Sequence, residues 1–155
     1  RYVLEIHFKF KIMKIGFDLH GVISDLPEVF KFIGESIIKN SGEVHILTGS
    51  NEIKAIYELR EIGFIKDIHY THIFSVQDFL DRTDLPSKSI HPKYGNLEYV
   101  DIWWDRAKAR YCKDNDINLH LDDTAIYGDY FKTPFARVFT KTNTPKINKP
   151  DRHLN

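Results

Sequence analysis

The sequence predicts an α/β fold, a three-layer sandwich around a mainly parallel five-stranded sheet. Short apolar runs alternate with segments of helical periodicity along residues 13–141, the pattern of consecutive βαβ units. Three of those runs end abruptly in polar residues, at Asp18, at Thr48-Gly49-Ser50 and at Asp122-Asp123. Parallel strands bring their carboxyl ends to one rim, so residues far apart in sequence converge there.

The elements follow in order. Residues 13–17 read as a strand that ends at Asp18, with Gly21 turning the chain beside it. Asp25 and Pro27 start a helix carrying Val29, Phe30, Ile33, Ile37 and Ile38 at helical spacing, and Ser41-Gly42 stops it. Asp25 is read as the cap of that helix. Residues 43–47 are a second strand, followed by a helix with Ile53, Ile56 and Tyr57 as apolar positions and a stop at Gly63. Residues 68–74 supply a third strand. Residues 75–98 read as a helical turn and then a loop rich in Pro, Ser, Lys and Gly. A helix returns over residues 99–113, with Val100, Trp103, Trp104, Ala107, Tyr111 and Cys112 as its apolar positions. Residues 117–121 and 136–140 complete the strand set.

The ends are of different character. Residues 1–12 alternate Tyr2, Leu4, Ile6, Phe8 and Phe10 with mostly polar neighbours, which predicts an extra edge strand. Met13 then stands where a natural start is expected. Residues 132–155 carry six basic groups against the single acid Asp151, so a chain of zero net charge has an acidic body and a basic polar tail from residue 142. That tail fits either a solvated terminus or a contact to phosphates.

Composition narrows the class. A chain of 155 residues buries roughly 68–70% of its unfolded surface as one domain and needs no disulfide. Cys112 is the single cysteine, which excludes an internal disulfide and a cysteine-cluster zinc site. No apolar run is long enough to span a membrane and no leader pattern is present, so a cytoplasmic protein is expected.

Asp18, Asp122 and Asp123 crowded at one rim would repel one another unless a cation joined them. Hard oxygen donors with room for water suit magnesium best. A phosphate would be drawn to the same place, held by Thr48 and nearby backbone N–H groups. Lys108 is the leading candidate for the balancing cation, with Lys93 and Lys113 behind it. If Asp18 attacks phosphorus, an aspartyl-phosphate splits one hard hydrolysis into two easier steps.

The set Phe17-Asp18-Leu19-His20-Gly21-Val22, Ile46-Leu47-Thr48-Gly49-Ser50, Lys108 and His120-Leu121-Asp122-Asp123 resembles the four motifs of the haloacid dehalogenase superfamily of phosphohydrolases, over residues 14 to about 140. The resemblance implies a Rossmann-like sheet with the first strand central. It makes Asp18 the nucleophile and a metal ligand, Thr48 a phosphate-binding hydroxyl with Gly49 and Ser50 beside it, and Lys108 the lysine that steadies nucleophile and phosphate. Asp122 and Asp123 become the metal-binding acids, and the backbone carbonyl of His20 a further magnesium ligand. Members of the family carry an aspartate where this chain has His20, so the leaving-group acid is either this imidazole or absent, the latter leaving a protein that binds phosphate and metal without turnover.

The spacing from Asp18 to Thr48 accommodates one helix and no cap domain, and residues 75–98 allow a short lid at most. An open site accepts small phosphorylated substrates, nucleotides among them, and also polynucleotide ends; a second copy of the chain is another way to close it. Trp104 lies one turn from Lys108, where it can stack on a base or pack between helices. Tyr127 and Tyr130 fit either a pocket lining or helix packing. His120 shares strand parity with Asp122, His69 and His72 have no metal-finger spacing, and Cys112 has no context that would activate a thiol.

Overall fold

The computed structural model describes residues 12–90 and 97–142. Among the described residues seven strands and four α-helices follow one another: β1 (Lys14–Asp18), α1 (Pro27–Lys39), β2 (Glu43–Thr48), α2 (Glu52–Glu61), β3 (His72–Ser75), α3 (Val76–Asp81), β4 (Ser87–Ile90), β5 (Leu97–Tyr99), α4 (Asp101–Asp114), β6 (Leu119–Asp122) and β7 (Phe135–Arg137). One helical turn, Leu19–Ile23, follows β1, and a 3₁₀ turn, Ala125–Tyr130, follows β6. The expected edge strand in residues 1–12 and the basic tail fall on residues 1–11 and 143–155, outside the described ones.

The main sheet has the order β3-β2-β1-β6-β7, and every pairing in it is parallel. The fold is therefore α/β with a five-stranded sheet and the first strand central, flanked by helices in a Rossmann-like arrangement. Strand alternation divides its side chains cleanly. Ile15, Phe17, Val44 and Ile46 pack with Phe30 of α1 and with Ala55 and Leu59 of α2. On the opposite face Leu47 packs with Cys112 of α4. Asp18, His120 and Asp122 belong by parity to this α4 face, so the chemistry-bearing residues and Lys108 meet on one side of the sheet.

Local chemistry accounts for the element starts. Pro27 opens α1, where its missing N–H is no loss. Asn51 accepts the Lys54 N–H at 2.9 Å to cap α2, and Ser75 accepts that of Asp78 at 3.0 Å to cap α3. Asp25 does not cap α1, contrary to expectation. Its carboxylate accepts the hydroxyls of Thr140, at 2.6 Å, and Thr142, because the chain leaving β7 passes close enough to compete for it.

Other boundaries shift for identifiable reasons. The third strand starts at His72 rather than residue 68, since Asp67 takes a positive φ of 64° and closes a turn with Tyr70. The expected loop after α3 contains an antiparallel hairpin of β4 and β5. Two of the three apolar positions assigned to α2 face outward: Ile53 is 84% exposed and Tyr57 64%, Ile56 is half-buried, and the helix is anchored by Ala55 and Leu59.

Candidate active site

The carboxyl ends of β1 and β6 lie side by side, and α4 crosses above them. Lys108 Nζ donates to Asp18 Oδ1 and to Asp122 Oδ2, each at 2.7 Å. All three side chains are buried, Lys108 to 3% exposure. A buried ammonium between two buried carboxylates is stable only because both acceptors are this close. Their charges hold the Lys108 pKa above its ordinary value in spite of burial.

The two carboxylates differ in what surrounds them. Asp122 takes three donors: Lys108, His120 Nε2 at 3.1 Å on the same oxygen, and the Thr124 backbone N–H at 2.9 Å on the other. Burial pushes its pKa up, but the His120 hydrogen bond and the Lys108 charge prevail and bring it to about 2. Asp18 receives the same lysine and faces two other acids, so burial dominates and raises it to about 6. The ion pair thus leaves Asp18 as the carboxylate with unmet demand for positive charge.

His120 is itself positioned with care. Its ring stacks on Phe131 with centroids 5.1 Å apart, and its Nδ1 lies against Gly16, where a methyl group would come to 2.7 Å. Burial holds this imidazole below its usual pKa. Its Nδ1 is buried without a hydrogen-bond partner, so only Nε2 is satisfied, through the bond that orients Asp122.

Asp123 completes an acidic cluster. Asp18, Asp122 and Asp123 each offer an oxygen within 4.8 Å of the others, an all-oxygen donor set that fits magnesium. The Thr124 hydroxyl donates to Asp123 Oδ1 at 3.1 Å, and Arg137 Nε to its carbonyl at 2.8 Å. Gly21, with a φ of 74°, lies so close that any side chain there would run into the Asp123 carboxylate.

The remaining residues form the rim. Thr48 is fully buried, and its hydroxyl accepts the Ser50 N–H at 3.2 Å, closing the turn through Gly49. Trp104 lies over Gly49, where a methyl would come to 2.9 Å from its ring, and its Nε1 donates to Tyr127 Oη at 3.2 Å. The Tyr127 ring in turn sits 4.9 Å from Lys108 Nζ, close enough for a cation–π contact. Trp104 and Tyr127 are therefore both packing residues and the wall of the site. Cys112 is fully buried, its thiol pushed up to about 12 by burial, as befits an inert core position.

His20 stands apart from the buried cluster. Its side chain is 50% exposed, and Nε2 donates to Glu58 of α2 at 2.9 Å, rather than turning to Asp18. Glu58 went unnoticed in the sequence because it carries no motif. Its nearness to His20 arises from the way α2 returns along the sheet.

No family model and no curated protein matches the chain. Among solved structures, a glycosyltransferase from Rickettsia africae ESF-5 aligns over 81% of this chain at 11% identity with a TM-score of 0.44. This chain spans 29% of that protein's length. A universal stress protein in complex with cAMP aligns over 82% of this chain and 96% of its own, at 11% identity and a TM-score of 0.40. Likeness at this level carries nothing about activity. Among the described residues no helix is long and apolar enough to cross a membrane.

Proposed function

We propose that this protein is a magnesium-dependent phosphohydrolase of the haloacid dehalogenase type, acting on phosphate monoesters through an aspartyl-phosphate. The observation that carries the reading is the buried contact of Lys108 with Asp18 and Asp122, with Asp123 alongside. Four residues named for this chemistry, drawn from three separate parts of the sequence, lie in one cluster at the carboxyl edge of the sheet.

Asp18, Asp122 and Asp123 would hold magnesium, with the His20 carbonyl as the resemblance implies. Magnesium there supplies positive charge to crowded carboxylates and to phosphoryl oxygens. The chain's own groups do the rest. The Asp18 carboxylate attacks phosphorus, and the bond from phosphorus to the ester oxygen breaks. Lys108 and the Thr48-Gly49-Ser50 turn balance the phosphoryl charge. Protonated His20 gives one proton to the departing alkoxide and becomes the neutral imidazole, which then takes a proton from the water that attacks the aspartyl-phosphate, releasing phosphate and restoring the Asp18 carboxylate. The rotation that brings His20 inward exchanges its bond to Glu58 for one to the leaving group.

A small phosphorylated substrate is favoured, a nucleotide among the options because Trp104 and Tyr127 offer aromatic surface beside Lys108. Release of inorganic phosphate from a broad set of monoesters, with magnesium, tests the reading. Turnover lost in Asp18→Asn supports it. Binding of magnesium and phosphate with no turnover on any ester would instead indicate a non-catalytic module. Activity confined to oligonucleotide ends would indicate a polynucleotide end-phosphatase.

A further inference from the structure

The opposite edge of the sheet holds a second cluster that the proposed phosphoryl chemistry does not use. Parallel register sets His45 of β2 beside His72 of β3, and Glu43, two residues before His45, lies on the same face. One ligand atom from each of the three falls within 4.8 Å of the others. His45, the member nearest to Thr48 along β2, precedes it by about 10 Å of extended chain, so the two sites are distinct.

We propose that Glu43, His45 and His72 bind a divalent transition ion of the zinc type, clamping the amino edges of β2 and β3.

The hydrogen bonds around the histidines support it. The Thr71 hydroxyl donates its one proton to the Val44 carbonyl at 2.8 Å. His72 Nδ1, 2.8 Å from that same oxygen, must therefore be the donor in their contact, which leaves the lone pair of neutral His72 on Nε2. His45 is buried, with Nδ1 2.8 Å from Tyr111 Oη and Nε2 3.0 Å from Glu43. A phenol can accept as well as donate. The His45 proton can therefore sit on Nδ1, facing Tyr111, and free Nε2 for an ion that replaces the proton shared with Glu43. An imidazole whose second nitrogen donates to a fixed oxygen is the usual form of a metal-bound histidine.

Two imidazoles and one carboxylate, with the remaining position toward solvent, suit zinc far better than magnesium. The His45 and His72 rings are stacked, 4.4 Å between centroids and 13° apart in plane, so closure on an ion requires the exposed His72 ring to tilt. Lys14, 3.2 Å from Glu43, competes for the same carboxylate and must swing aside.

Calorimetric titration of the full chain with zinc, with magnesium in excess to occupy the carboxyl-edge site, tests this. One equivalent should bind. His72→Ala and Glu43→Gln should each weaken binding by about tenfold or more, and Tyr111→Phe by about 10–100-fold. Lys14→Ala should bind more tightly than wild type, and Asp123→Asn should match wild type. His72 is exposed, so its variant keeps the fold, which circular dichroism checks independently. No zinc uptake by the folded wild-type chain, or equal uptake by wild type and His72→Ala, overturns the proposal.

Discussion

Lys108 Nζ and Asp18 Oδ1 meet at 2.7 Å inside the protein, yet the pair leaves Asp18 with its pKa raised to about 6 by burial that the lysine only partly offsets. In the absence of magnesium that carboxylate is a liability. Folding lifts its pKa above the unfolded value of 3.8, so the folded chain gains a proton between these values and loses stability as pH climbs through them. Asp18→Asn escapes this penalty. Urea unfolding without magnesium should show the variant more stable than wild type by about 1–3 kcal/mol at pH 7, with the gain shrinking below pH 6 and gone below about pH 4. A variant less stable at pH 7 would show that the Lys108 contact outweighs burial.

Magnesium should reverse the balance. An ion that binds only the folded state adds about 2.7 kcal/mol at a hundredfold excess over its dissociation constant. That gain should be present at pH 7 and fade as pH falls through about 6, where Asp18 takes up its proton and the ion must compete with it. Thermal melts with and without magnesium across this range measure it, and Asp123→Asn should blunt the gain. A magnesium effect equal at pH 5 and pH 7 would place the ion elsewhere.

Gly16→Ala tests the support behind Asp122. The added methyl would come to 2.7 Å from His120 Nδ1, in a ring already pressed against Phe131. Overpacking of this kind costs about 1–3 kcal/mol. Because His120 also donates to Asp122, the displacement should lower kcat while leaving KM nearly unchanged. Paired melts and steady-state kinetics separate the two effects, and a kcat equal to wild type would remove His120 from the positioning of Asp122.

The fold was legible because strand alternation and helix spacing are local signals, and Asp18, Thr48, Lys108 and Asp122-Asp123 could be named because each sits at a predictable point on its element. What escaped notice depends on contacts between elements. Neither Glu58 beside His20, nor Gly16 beneath His120, nor the pairing of His45 with His72 leaves a trace in spacing, since each is created by strand register or helix return. The exposed Ile53 misled for a related reason. Apolar character reports a helix but not which face the sheet will cover.

His20 and Glu58 should matter in proportion to how poor the leaving group is. An alkyl phosphate needs a proton as its oxygen departs, whereas a nitrophenyl phosphate does not. His20→Ala should therefore lower kcat for alkyl esters by about 10²–10⁴-fold and for nitrophenyl phosphate far less. Glu58→Gln should follow the same pattern more weakly. Equal losses on both ester types would show that His20 serves the fold of the turn and not proton transfer.

The most direct measurement is a rapid-quench search for phosphoryl transfer to the protein, with a monoester that the chain hydrolyses in magnesium. Peptide mass analysis should find the phosphoryl group on Asp18 in wild type and nowhere in Asp18→Asn, which should also release no phosphate. Phosphate release that continues in Asp18→Asn, or turnover by wild type with no protein-bound phosphoryl group at any quench time, would contradict a nucleophilic Asp18.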